Sequence, residues 1–130
     1  LVVFMNTFNV INEEITINDI PLNKWVNVII RVQNTTMDVY VNGTITKSHQ
    51  LHGVPKQNYG DVYVGMNGGF AGNISNLWYY DHALGTSMIE KIASDGPNLT
   101  LKGDISINAT KTNYLSLRWF FYGMNDGYNP

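Results

Sequence analysis

Apolar residues recur at every second position along much of the chain. The clearest run is Val26, Val28, Ile30 and Val32, which alternate with Asn27, Ile29, Arg31 and Gln33. A period of two is typical of a β-strand, whose successive side chains point to opposite faces. One face of this strand is wholly apolar and the other is mixed, so we expect the apolar face to lie in a core.

Two turns flank the next strand. Asn34-Thr35-Thr36 is a polar turn, and Met37, Val39 and Val41 then alternate with Asp38 and Tyr40. Asn42-Gly43 follows, and this dipeptide favours a type I′ hairpin turn because both central positions need positive φ. Residues 25–47 are therefore predicted to form a three-stranded antiparallel meander.

Further short strands are predicted on both sides of the meander, at residues 2–8, 15–18, 61–66, 71–80, 104–108 and 114–122. One short helix is predicted, with a capping box from Ser87 to Glu90 and an end at Gly96-Pro97. Many short strands at regular spacing indicate a sandwich or barrel. The expected fold is all-β, an antiparallel two-sheet jelly-roll sandwich with one short helix. Its expected core contains Val26, Val28, Ile30, Val39, Val41, Val64 and Ile74.

Composition narrows the function classes. The chain has 130 residues, no cysteine, 14% charged residues and a formal net charge of −2. We therefore expect one domain, no disulfide or thiolate chemistry, and no nucleic-acid partner. No apolar run reaches the ~20 residues of a membrane span. The chain opens on Leu1 and enters a strand at once, which we interpret as a processed or incompletely covered N-terminus.

Three segments together resemble the concanavalin A-like lectin/glucanase superfamily, in its laminin G-like branch. They are residues 21–28 (PLNKWVNV), 37–43 (MDVYVNG) and 70–85 (FAGNISNLWYYDHALG). The resemblance implies a jelly-roll core over residues 1–98 that lacks one or more N-terminal strands. We expect residues 99–130 to be a strand-rich extension packed on the same domain.

A looser resemblance concerns residues 114–130, which are similar to the tails of jelly-roll virion proteins of large double-stranded DNA viruses. It implies a non-catalytic structural protein, a minor capsid or other virion component, with other structural or capsid proteins as partners. Trp119, Phe120, Phe121 and Tyr122 place aromatic side chains on both faces of one strand, so we expect an interface there. The alternative is a glycan-binding, lectin-like module at the cell surface or outside the cell.

Catalytic chemistry is not expected. Glucanases of the superfamily need a pair of carboxylates on one face. Glu13 and Glu14 are adjacent, so on a strand they point to opposite faces. His49 and His52 are predicted to lie in a solvent-exposed loop without a third metal ligand, and His82 in a turn. We therefore predict no enzyme activity and no zinc site.

Two kinds of modification or ligand remain open. The family resemblance implies calcium on a loop rim, for which Asp61, Asn67 and Asp81 offer oxygen ligands, although Asn67-Gly68-Gly69 is more simply explained as a tight turn. We expect no cofactor, with calcium as the alternative. Five N-x-S/T sequons offer glycosylation sites if the chain passes through a glycosylating compartment: Asn34, Asn42, Asn73, Asn98 and Asn108.

Overall fold

Five strands and one α-helix organise the part of the chain that the computed structural model describes, residues 1–100, with a single 3₁₀ turn at Met66–Gly68. The strands are β1 (Val2–Met5), β2 (Glu13–Thr16), β3 (Val28–Gln33), β4 (Thr36–Val41) and β5 (Thr44–Gln50), and the helix is α1 (Thr86–Asp95). β1 and β2 form one sheet, and β3, β4 and β5 form a second in sequence order. Both sheets are antiparallel, which confirms the predicted two-sheet architecture with one short helix.

The β1–β2 sheet turns one face inward. Its register runs from Val2 opposite Thr16 to Met5 opposite Glu13. Burial alternates along β2, since Glu13 and Ile15 are buried whereas the residues that follow each of them are exposed. The pleat of a strand produces this alternation.

The three-stranded meander follows the sequence prediction closely. Asn42 and Gly43 have φ values of 53° and 83°, as a type I′ turn requires. The β3–β4 turn also contains a residue with positive φ, Asn34 at 53°. A register shift between Val39 and Tyr40 interrupts the β4–β5 ladder.

β4 is buried on both faces. One face meets the β1–β2 sheet in a core of Ile15, Ile17, Met37, Val39 and Leu51. The other face carries Tyr40, which packs with Leu84 and Ile89 beneath α1. The structure is therefore layered as small sheet, large sheet and helix, because each apolar face needs another element to cover it.

Arg31 ties the second layer to the third. Its guanidinium donates to Asp38 Oδ2 at 2.8 Å and to the Leu84 carbonyl at 3.1 Å. Ser48 Oγ donates to the other oxygen of Asp38 at 2.6 Å. These bonds hold the pKa of Asp38 below its ordinary value, the Ser48 hydroxyl foremost and the Arg31 guanidinium next.

The start of α1 differs from the prediction. The helix begins at Thr86, and Gly85 at its N-cap offers no side-chain hydrogen bond. Ser87 thus lies inside the first turn and does not form the predicted capping box with Glu90. The predicted end is confirmed, because Gly96 caps the C-terminus with a φ of 73°.

The predicted core is only partly correct. Val39 is buried and Val26 and Val41 are half-buried, whereas Val28, Ile30, Val64 and Ile74 are exposed. The β1–β2 sheet covers the centre of the larger sheet but leaves much of β3 open. Residues 61–66 and 71–80 are not strands, because in the described range they have no partner strand that would satisfy a ladder.

The remaining predictions for the C-terminal part fall on residues 101–130, outside the described residues. They comprise the strands at 104–108 and 114–122, the sequon at Asn108, and the aromatic residues Trp119, Phe120, Phe121 and Tyr122. Within residues 1–100, no helix has the length and apolar character needed to cross a bilayer.

Candidate functional site

An exposed apolar surface lies between β3 and residues 70–78, most of which belong to the predicted but unformed strand at 71–80. We call it the apolar face and define it by its members: Val28, Ile30, Phe70, Ile74, Leu77 and Trp78. All six are exposed, Trp78 by 69%. They line two adjoining depressions that share Val28, Leu77 and Trp78. Large exposed apolar patches on soluble domains mark interaction sites.

A groove runs along one side of the apolar face, between residues 70–80 and α1. Its volume is about 670 Å³. The residues that line the groove include the aromatic Trp78 and Tyr80 and the amide-bearing Asn73, Asn76 and Asn98. Apolar walls with a few amide groups suit either a protein segment or a sugar ring.

A polar cluster lies where the two sheets meet, and it shares no residue with the apolar face. Glu13 on β2 points inward and its side chain is only 5% exposed. Its Oε1 is 2.8 Å from His49 Nε2 and 2.5 Å from His52 Nδ1. The main-chain N–H of His52 donates to Glu13 Oε2 at 3.1 Å. One carboxylate thus connects the small sheet with the end of β5.

These hydrogen bonds set the charge state of Glu13. The His49 side chain lowers its pKa most, against the opposing effect of burial, and the backbone and ring of His52 lower it further. The pKa falls from 4.5 to about 2. Glu13 is therefore an ionised carboxylate at every pH at which the protein is expected to work.

This cluster corrects the sequence prediction for one of the two histidines. His49 lies within β5 and is half-buried, not in an exposed loop, whereas His52 is exposed beyond the end of β5, as predicted. The sequence around His49 and His52 offered no third metal ligand. The structure brings Glu13 to them, although it lies 36 residues before His49. The opposite facing of Glu13 and Glu14 is as predicted, since Glu13 is buried and Glu14 exposed.

The role of Asp61, Asn67 and Asp81 as calcium ligands stays a prediction. Among residues 1–100, the group of three His, Cys, Asp or Glu side chains close enough to share an ion is Glu13, His49 and His52. The exposed Asp81 accepts from the neighbouring His82 at 2.9 Å. Asn67 has a φ of 58° and precedes two glycines with positive φ, so this segment is a tight turn.

The four sequons in the described range occupy different environments. Asn34, Asn73 and Asn98 are exposed, and Asn34 lies at a turn. Asn42 is half-buried, and its Oδ1 accepts from the Asn27 N–H at 3.0 Å. Their use as glycosylation sites stays a prediction.

Comparison with known proteins identifies the family. The family model for the concanavalin A-like lectin/glucanases superfamily matches residues 6–90. No curated protein gives a significant match. Among solved structures, the chain is similar to an S-layer domain-containing protein from Clostridium thermocellum, at 20% identity and a TM-score of 0.46. That similarity covers 63% of this chain and spans 45% of the other. With nearly two thirds of its residues in the family match, the chain belongs to the concanavalin A-like lectin/glucanases superfamily.

Proposed function

We propose that the chain is a non-catalytic interaction module that docks onto another structural protein through the apolar face. More specifically, we propose that the chain is a minor capsid protein or another virion component of a large DNA virus. The observation that carries the docking role is the contiguous, solvent-exposed apolar face on an otherwise layered domain. The looser similarity of residues 114–130 to virion proteins supports the virion role.

The composition of the apolar face fits protein docking. Trp and Tyr side chains dominate binding energy at protein interfaces, and aliphatic neighbours exclude water around them. Trp78 is exposed beside Leu77, and Val28 and Ile30 extend the surface along β3. A partner that binds here would bury apolar surface that is exposed to solvent in the described part of the chain.

The known enzymes of the superfamily place two carboxylates across a sugar-binding cleft. Glu13 and Glu14 cannot form such a pair because β2 directs them to opposite faces. Glu13 is also held by both histidines at the sheet junction. This arrangement supports a binding role without catalysis.

Sedimentation velocity on the full chain tests the docking role. Without its partner protein the isolated chain leaves the apolar face uncovered, so we expect the wild-type chain to self-associate through it. Leu77→Asp should shift the chain toward monomer because a charge on the apolar face opposes burial. Tyr59→Asp is the matched control, since Tyr59 is exposed but lines neither depression. A wild-type chain that stays monomeric at high concentration, or equal effects of the two variants, would contradict the proposal.

The virion assignment has its own test. Virus particles are purified on a gradient and their surface is treated with protease. Mass spectrometry should then detect this protein in the particles at a constant ratio to the major capsid protein. Absence from the particles rejects the virion role but leaves the interaction module standing.

Glycan binding is the second candidate, favoured by the aromatic and amide residues in the groove. A sugar ring stacks on an indole while side-chain amides bond its hydroxyl groups. We would then expect oligosaccharides to change the tryptophan fluorescence in a saturable way, and Trp78→Ala to abolish the change while Tyr59→Ala preserves it. A glycan array without binding, together with unchanged fluorescence, would remove this candidate.

A further inference from the structure

The cluster at the sheet junction has the composition of a metal centre. Glu13, His49 and His52 each offer one ligand atom, and these three atoms lie within 4.8 Å of one another. Two imidazole nitrogens and one carboxylate oxygen form a ligand set that zinc uses, with a fourth position left for water. The lone glutamate makes the set a poor site for calcium, which requires six or more oxygens.

The backbone explains why the three residues meet. Glu13 and Ile15 are on the same, inward-facing side of β2, so the Glu13 carboxylate lies at the end of the core. His49 lies opposite the fully buried Met37 in the β4–β5 register. Two residues later Leu51 returns to the same core, which leaves His52 directly beyond it.

Surrounding hydrogen bonds orient the ligands. The His52 N–H donates to both oxygens of Glu13, Oε2 at 3.1 Å and Oε1 at 3.3 Å, and Oε1 also contacts both imidazole rings. Asn9 Nδ2 donates to the His52 carbonyl at 2.7 Å and fixes that backbone from the β1–β2 connection. Such outer hydrogen bonds position metal ligands and raise affinity.

The distances allow an ion after a small movement. Zinc bonds of 2.0–2.2 Å in a tetrahedral arrangement separate neighbouring ligand atoms by about 3.3 Å. The present separations from Glu13 Oε1 are 2.8 Å and 2.5 Å, so each ring must withdraw from the carboxylate by less than about 1 Å. The two ring nitrogens lie within 4.8 Å of each other, and the same movement must bring them to tetrahedral spacing. His52 lies beyond the end of β5 and its side chain is 69% exposed, so its ring has room to move and faces the solvent from which an ion arrives.

We propose that Glu13, His49 and His52 bind a zinc ion that clasps the β1–β2 sheet to the end of β5. Glu13 supplies a carboxylate oxygen, and each histidine binds through the nitrogen that now contacts the carboxylate, after the proton on that nitrogen has moved to the other ring nitrogen or to solvent. Because the ligands come from both sheets, bound zinc stabilises the folded state over the unfolded chain. The site lies apart from the apolar face and does not depend on the proposed docking role.

Zinc titration of the chelator-treated full chain by calorimetry tests the proposal. We expect one ion per chain and a higher melting temperature with zinc. Calcium and magnesium should produce neither effect. We expect His52→Ala to weaken zinc binding by at least ~10-fold. Loss of a residue that only hydrogen-bonds a metal ligand already has an effect of that size, and His52 is proposed as a ligand itself. His82→Ala is the matched control, because the exposed His82 contacts Asp81 outside the cluster.

Cobalt gives a readout that a purely structural role for the histidines would not produce. The wild-type chain and His82→Ala should develop the intense visible absorption of four-coordinate cobalt, and Glu13→Gln and His52→Ala should not. Because the His52 side chain is exposed, we expect His52→Ala to fold. Circular dichroism of the metal-free variant checks this. No saturable zinc uptake, no cobalt absorption, or undiminished binding by His52→Ala would each overturn the proposal.

Discussion

At the scale of single residues, Glu13 shows how one side chain acquires a role from its neighbours. Strand alternation turns it inward, where an isolated carboxylate would be costly to bury. His49 and His52 offset this cost by hydrogen bonding to it. The inward direction was predictable from the sequence, because Glu13 and Glu14 must diverge on a strand. Its partners were not, because they lie 36 and 39 residues away.

The lowered pKa of Glu13 predicts a specific acid sensitivity. Its pKa is about 2 in the folded protein against an ordinary 4.5, so the unfolded chain binds more protons between these values. The stabilisation from Glu13 is therefore complete above about pH 4.5 and is lost as the pH falls toward 2. Urea denaturation in chelator at a series of pH values should show a weaker acid dependence for Glu13→Gln than for the wild type.

The neighbouring Glu14 is the control for that measurement. Glu14 lies on the same strand but is exposed, and its carboxylate accepts from Thr16 at 3.2 Å. Glu14→Gln should leave the acid dependence close to that of the wild type. An identical pH dependence for Glu13→Gln and the wild type would contradict the role assigned to the histidine contacts.

At the scale of elements, local signals were reliable where a turn determines the pairing. Asn42-Gly43 specifies the hairpin between β4 and β5 because both residues adopt positive φ. Helix α1 was also predicted, but its start depends on a glycine N-cap that carries no capping side chain. The strands expected at 61–66 and 71–80 have the right alternation, yet a strand forms only when another strand supplies its hydrogen bonds.

The hairpin yields a prediction about Gly43. A Cβ at this position would lie 3.1 Å from Ala93 Cβ of α1, and φ is +83°. Gly43→Val should lower the free energy of unfolding by more than about 1 kcal/mol, since a β-branched residue resists positive φ and also crowds the helix. Thr44→Val, at the next and exposed strand position, should change it by less than about 0.5 kcal/mol.

Chemical denaturation midpoints of the two variants measure this difference. Equal midpoints for Gly43→Val and the wild-type chain would show that the turn is not constrained as the structure indicates.

At the scale of the whole molecule, the layering decides which apolar residues carry stability. Ile30 and Val39 are register partners on neighbouring strands. Val39 is fully buried between the two sheets, whereas Ile30 is 46% exposed on the apolar face. The sequence pattern gave both residues the same expected place in the core, and only the extent of the covering sheet separates them.

This pair provides a matched test of the layering. Val39→Ala should cost about 2–4 kcal/mol, because it removes buried methyl groups and leaves a cavity. Ile30→Ala should cost less than about 1 kcal/mol in the isolated chain, since its side chain keeps much of its contact with water. Thermal and urea denaturation measure both values, and equal costs would place Ile30 in a covered core.

The sequence by itself determined the strand period, the meander from β3 to β5, the end of α1 and the family, because these follow from local conformational preference and short-range pairing. The tertiary structure alone decided that Val28 and Ile30 face solvent, because coverage depends on the size of the opposing sheet. It also brought Glu13 to His49 and His52, because contacts between separate sheets arise from packing. Alternation predicts which side a residue faces, but only the packed layers establish what it meets there.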